Sequence, residues 1–231
     1  MLRSWESSFD STGYYRIHWN IRRDGYRFPS HYSAKNEKYL PAGMQLPPGM
    51  YTLKLKDGDQ MDSSAIEIKT IAENPFNAAG YNEKLRLSDS LQRITQRAYL
   101  AFEALKTAEE TIEKVCNSSY ENDSAQSRLK KLSAPLKDSI NALKRLFMQD
   151  KDITYYEDIT QRLNDKLYAA SGYINSQNYP AENANTAVRN AAVFTDGVLK
   201  RVNAFLAAQW AGFQIEVEKE KPKVFKPLGG Y

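Results

Sequence analysis

The chain changes its pattern near residue 73, and that change limits what it can fold into. Up to residue 72, short alternating runs are joined by Gly and Pro turns. From residue 76 to 218, apolar residues recur at helical spacing, with few Gly or Pro inside the runs. Strands first and helices afterwards predict an α+β chain with two or more units. The expected divisions are a partial β module over 1–72, a helical unit over 73–220 and an extended tail over 221–231.

The β segment offers three strands. Tyr15, Ile17, Trp19 and Ile21 alternate with Tyr14, Arg16, His18 and Asn20, which predicts a half-buried strand. After the turn Pro47-Pro48-Gly49, Tyr51, Leu53 and Leu55 alternate with Thr52, Lys54 and Lys56. Asp57-Gly58-Asp59 reverses the chain, and Ile66 and Ile68 carry the returning strand. The polar connection from Arg22 to Leu46, broken by Pro29, Pro41 and Gly43, has room for one short strand at most. A fragment at Leu2–Trp5 is a further candidate. An aligned sandwich has about seven strands. The sheet is therefore expected to be incomplete or to lean on the helices, as a piece from the C-terminal end of a larger protein would.

Four helices follow. The first carries Leu87, Leu91, Ile94, Ala98, Ala101, Leu105, Ala108, Ile112 and Val115 at alternating steps of four and three. That heptad stripe predicts left-handed packing. The second carries Leu129, Leu132, Leu136, Ile140, Leu143 and Phe147, with Pro135 expected to kink it or force a restart after Ser133. Thr154-Tyr-Tyr-Glu157 reads as the capping box of the third, which continues through Ile159, Leu163, Leu167, Ala170 and Ile174. The fourth follows Pro180 through Val188, Ala191, Val198, Val202 and Phe205, is expected to be the longest, and ends at a segment, 209–220, expected to project or to fold back on the sheet. Short polar loops make an up-down-up-down four-helix bundle the economical arrangement.

Charge and chemistry exclude more than they assign. The net charge of +4 divides evenly, +2 up to residue 72 and +2 beyond it. No concentrated basic face marks a nucleic-acid partner. No apolar run reaches the ~20 residues of a membrane span. Cys116 ends a helical stripe and reads as a small buried hydrophobe. Asp57 to Ile68 fails as a calcium loop, with Met61, Asp62 and Ile68 where a ligand, Gly and Glu are needed. His18, His31 and one Cys do not suffice for a zinc site. No nucleophile elbow and no Gly-rich phosphate loop occurs, so neither catalytic nor cofactor-binding residues are assigned. Seven aromatics between Tyr14 and Tyr39 are read first as packing. If they contact a ligand or partner, Tyr14, Tyr26, Tyr32 and Tyr39 are the candidates, and a glycan or a peptide is the expected ligand.

Three motifs carry a resemblance. They are Gly13-Tyr-Tyr-Arg-Ile-His-Trp-Asn-Ile-Arg22 with Leu2-Arg-Ser-Trp5 before it and Arg27-Phe-Pro29 after it, Leu46-Pro-Pro-Gly-Met-Tyr-Thr-Leu-Lys-Leu55, and Leu163-Asn-Asp-Lys-Leu167. Together they resemble the C-terminal region of large exported bacterial proteins with a sortilin-like, BNR-repeat β-propeller, often labelled glycosyl hydrolases. The resemblance implies an immunoglobulin- or fibronectin-like module followed by a helical bundle, with the propeller of the same parent chain as partner. It implies export to the periplasm, cell surface or exterior, by a signal upstream. It carries no catalytic residue onto this chain, because the family's active site is expected on the propeller. The expected role is a non-catalytic accessory module; the alternative is a glycan- or peptide-binding module using the aromatics named above.

Overall fold

The computed structural model describes residues 2–4, 6–8, 13–32, 39–71, 75–118, 120, 123–150, 162–175 and 182–220. The chain is mixed α+β and mostly helical. Its strands are β1 (Arg22–Asp24), β2 (Ala42–Gln45), β3 (Gly49–Asp57) and β4 (Gln60–Ile68). Its helices are α1 (Ala78–Asn117), α2 (Asp123–Arg145), α3 (Leu163–Asn175), α4 (Glu182–Phe205) and α5 (Ala211–Glu218). A π-helical turn, Leu206–Trp210, joins α4 to α5 without a break. The strands form two separate antiparallel pairs, β1 with β2 and β3 with β4.

The β3–β4 hairpin follows the sequence expectation. Tyr51 faces Ile66, Leu53 faces Ser64, and Asp57 faces Gln60 across the turn. Gly58 sits at φ +55 in that turn, a conformation open to Gly at no steric cost.

The strand expected over residues 14–21 is not formed. Ile21 adopts φ +55, a left-handed conformation that ends an extended run. Tyr15 and Ile17 stay exposed, and Trp19 Nε1 donates to the nearby Arg22 carbonyl at 3.2 Å. The connection from Arg22 to Leu46, expected to hold one strand at most, instead supplies both β1 and β2. They pair through close backbone approach: a Cβ on Gly43 would lie 2.6 Å from the Asp24 carbonyl oxygen. The Asp24 amide also donates to the Leu2 carbonyl at 2.8 Å, which sets residues 2–4 beside β1.

The core lies among the helices. α1 packs on α2, α3 and α4, and α3 packs on α4. The buried face of α1 is Leu87, Leu91, Ile94, Thr95, Ala98, Phe102, Leu105, Ala108, Ile112 and Cys116. Phe102 and Cys116 thus take the places expected for Ala101 and Val115. Phe102 meets Phe147 at 5.3 Å between ring centroids, and both are fully buried. Burying a Phe side chain stabilises by about 1.5–3 kcal/mol.

α2 runs through Pro135 without a restart and buries Leu129, Leu136 and Ile140, while Leu132 is exposed. α3 buries Leu163, Leu167, Ala170 and Ile174, and α4 buries Val188, Ala191, Val198, Val202 and Phe205, all as expected. The longest helix is α1, with 40 residues, rather than the fourth. The end of that fourth helix packs on α2 rather than on a sheet: Phe213 is buried, and Arg128 pairs with Glu216 at 3.4 Å and also with Glu220. The residue 72/73 boundary, the capping box at 154–157, Pro180 and the tail 221–231 lie outside the described residues.

Candidate functional site

Residues 22–32 are laid against the helices, and this placement creates a cleft. Asn164 Nδ2 on α3 donates to the Pro29 carbonyl at 2.9 Å, and His31 Nε2 lies 2.6 Å from the Gln149 carbonyl oxygen. Lys106 Nζ donates to the Tyr32 carbonyl at 3.2 Å, and Arg23 pairs with Asp89 at 2.5 Å. Phe28 stacks on Tyr168 with centroids 4.4 Å apart.

The cleft has a volume of about 760 Å³. β2 forms one wall, the residues after β4 a second, the start of α1 with the end of α3 a third, and Arg22, Gly25, Tyr26 and Phe28 the remainder. That volume falls within the ~300–1,000 Å³ of small-molecule sites. Aromatic rings line it at Tyr26, Phe28, Phe76 and Tyr81, and Phe76 lies 5.4 Å from Tyr81. Tyr81 is held in place by its hydroxyl, which donates to the Gln45 carbonyl at 3.1 Å. Burial pushes the Tyr26 and Tyr81 phenols above their ordinary range.

The charged lining residues are Arg22, Lys69 and Lys84, and no carboxylate lines the cleft among the described residues. Lys69 is spoken for by Glu67 at 3.0 Å. Arg22 donates to the Gly43 carbonyl at 3.1 Å and makes no ion pair among the described residues. Lys84 has no hydrogen-bond or ion-pair partner among them. Burial, and then the nearby Arg22 charge, pull the Lys84 ammonium below its ordinary pKa.

The four tyrosines singled out in the sequence are not gathered into one groove. Tyr14 is fully exposed, outside any strand or helix, and Tyr32 is 87% exposed. Tyr39 is half-buried; its Oη accepts from the Glu6 amide at 2.6 Å and its carbonyl accepts from Arg27 at 3.0 Å. Only Tyr26 of the four lines the cleft.

Phe76, Tyr81 and Lys84 are not among the residues the sequence marks, and Arg22 is marked only as the end of the Gly13–Arg22 motif, not as a site residue. The available signal was Tyr81, Lys84 and Ser88, whose spacing of three and four puts them on one face of a helix. Among the described residues no cluster of three His, Cys, Asp or Glu could hold a metal ion, and no helix is long and apolar enough to cross a membrane.

No protein-family model matches the chain, and no curated protein or solved structure matches it.

Proposed function

We propose that this chain is a non-catalytic accessory module. It packs against, or spaces, a β-propeller in a larger exported protein of the glycosyl-hydrolase-like kind. In this reading residues 1–72 contribute to an immunoglobulin- or fibronectin-like module, and the helices form an up-down-up-down bundle that carries it.

One observation supports this reading above the others: the β3–β4 ribbon. Tyr51, Leu53 and Leu55 share one face of it with Ile66 and Ile68. Tyr51, Ile66 and Ile68, at its base, are half-buried, whereas Leu53 is 41% and Leu55 63% exposed. On the other face Met50 and Met61 are 68% and 67% exposed. The ribbon pairs with no third strand among the described residues. A hairpin of two strands is marginal in water by itself, and unpaired edges beside exposed apolar residues favour pairing with another sheet. A β-sheet partner supplies both what the edges and what the apolar face lack. The tyrosines of the alternative reading are divided between exposed and half-buried sites, so the ribbon is the stronger binding feature.

The test is to produce this chain and the propeller as separate polypeptides. They are expected to co-migrate in gel filtration, and Leu53→Asp with Leu55→Asp is expected to separate them while leaving the helical circular dichroism unchanged. Co-migration that survives both substitutions, or saccharide turnover by this chain alone that one substitution abolishes, overturns the reading.

A further inference from the structure

We propose that the cleft between β2 and the N-terminal turns of α1 binds a carboxylated saccharide, its carboxylate between Arg22 and Lys84 and a sugar ring against Phe76 and Tyr81. The site is separate from the ribbon face that supports the accessory role, so either can fail without the other.

Three positive side chains line one cleft, Lys69 is paired with Glu67, and no carboxylate among the described residues lines the cleft beside Arg22 and Lys84. Lys84 is half-buried and feels the charge of the exposed Arg22, and an anion between the two relieves that repulsion. The lowered Lys84 pKa agrees with that geometry. Neither cation is engaged by an ion pair, and Lys84 is engaged by nothing among the described residues. The available charge is that of an Arg fork beside a Lys point charge, which suits a carboxylate.

The remainder of the wall selects the body of the ligand. Phe76 is 42% exposed and adjoins Tyr81, so an aromatic surface is open to a ring. Ser88, Ser171 and Asn175 add hydroxyl and amide groups along the wall, which can meet sugar hydroxyls. The volume admits a di- or trisaccharide rather than a single small ion. A phosphate group is less well served. The Gly80 amide at the start of α1, which could bind phosphate, is already capped by Asn77 Oδ1 at 3.0 Å.

The experiment is a titration of the whole chain with trigalacturonate, followed by calorimetry and by amide chemical shifts. The controls are the matched neutral trisaccharide, inorganic phosphate and a tri-aspartate peptide. Trigalacturonate is expected to bind saturably, to shift the amides of Tyr81, Lys84 and Gly43, and to bind more tightly than every control. Lys84→Gln is expected to weaken it about tenfold, the loss of one charge-assisted hydrogen bond, with unchanged thermal unfolding. Phe76→Ala is expected to weaken it as well, although Phe76 holds no charge. The proposal is overturned if the neutral sugar, phosphate or the peptide binds as tightly. It is also overturned if Lys84→Gln leaves affinity unchanged, or if no saturable binding occurs.

Discussion

Asn164 on α3 donates its side-chain amide to the carbonyl of Pro29 across 135 positions of sequence, at 2.9 Å and out of contact with water. It is a buried polar tie between the N-terminal segment and the helices. The Asn164 backbone amide is also engaged, with the Phe147 carbonyl at 2.9 Å.

Asn164→Ala leaves the Pro29 carbonyl buried without its donor. The expected loss is about 1–3 kcal/mol, read by urea unfolding, with faster exchange of the amides in residues 30–32. A loss below about 0.5 kcal/mol, the size of an ordinary surface change, contradicts the tie.

Thr95 gives the opposite sign. It is fully buried on α1, and its hydroxyl has no hydrogen-bond partner among the described residues. Valine has nearly the same shape and no hydroxyl. Thr95→Val is therefore expected to raise stability by about 1 kcal/mol and to raise the midpoint of thermal unfolding. An unchanged or lower midpoint contradicts this.

Two glycines separate close approach from simple flexibility. A Cβ at Gly43 collides with the Asp24 backbone at 2.6 Å, whereas a Cβ at Gly172 on α3 meets nothing within 4 Å. Gly43→Ala is expected to cost about 1–3 kcal/mol by forcing β1 from β2. Gly172→Ala is expected to gain about 0.5–1 kcal/mol from helix propensity. Parallel thermal melts of the two variants check both signs.

Much of the helical architecture is legible in the sequence because an amphipathic helix writes its buried face into its spacing. Leu163, Leu167, Ala170 and Ile174 on α3 and Val188, Ala191, Val198 and Val202 on α4 are all buried as spacing predicts. On α1 the strict heptad drifts. The buried set passes through Phe102 and Cys116, at steps that average the straight-helix value of about 3.6, where a seven-residue repeat gives 3.5. The N-terminal strands were harder to read. Alternation from Tyr15 to Ile21 resembles a strand, but alternation records only local preference, and Ile21 turns left-handed. The pairing of β1 with β2 depends on Gly43 lying against Asp24, a relationship between distant positions. The cleft is hidden for the same reason: Arg22 and Lys84 come to line one cleft only in the fold.

Glu83 predicts a pH dependence. Its hydrogen bonds from the Arg86 guanidinium, and then from Asn185, hold its carboxyl down to about 2 against an ordinary 4.5. A depressed folded-state pKa means the contribution to stability is present above 4.5 and is lost as pH falls toward about 2. The wild-type chain is expected to melt above Glu83→Gln at neutral pH, and the gap is expected to close over that window. A gap that stays constant with pH contradicts the assignment.

The accessory role turns most directly on the β3–β4 ribbon, and amide hydrogen exchange reads it residue by residue. The amides of Thr52, Lys54 and Lys56 alternate with the ladder positions and face away from β4. In the chain by itself they are expected to exchange rapidly while those of Leu91 and Phe102 are strongly protected. With the propeller bound, the amides of Thr52, Lys54 and Lys56 are expected to become protected by at least about tenfold. Any of these three amides as slow as Leu91 in the chain alone, or no gain in protection when the propeller is present, contradicts a docking role for the ribbon.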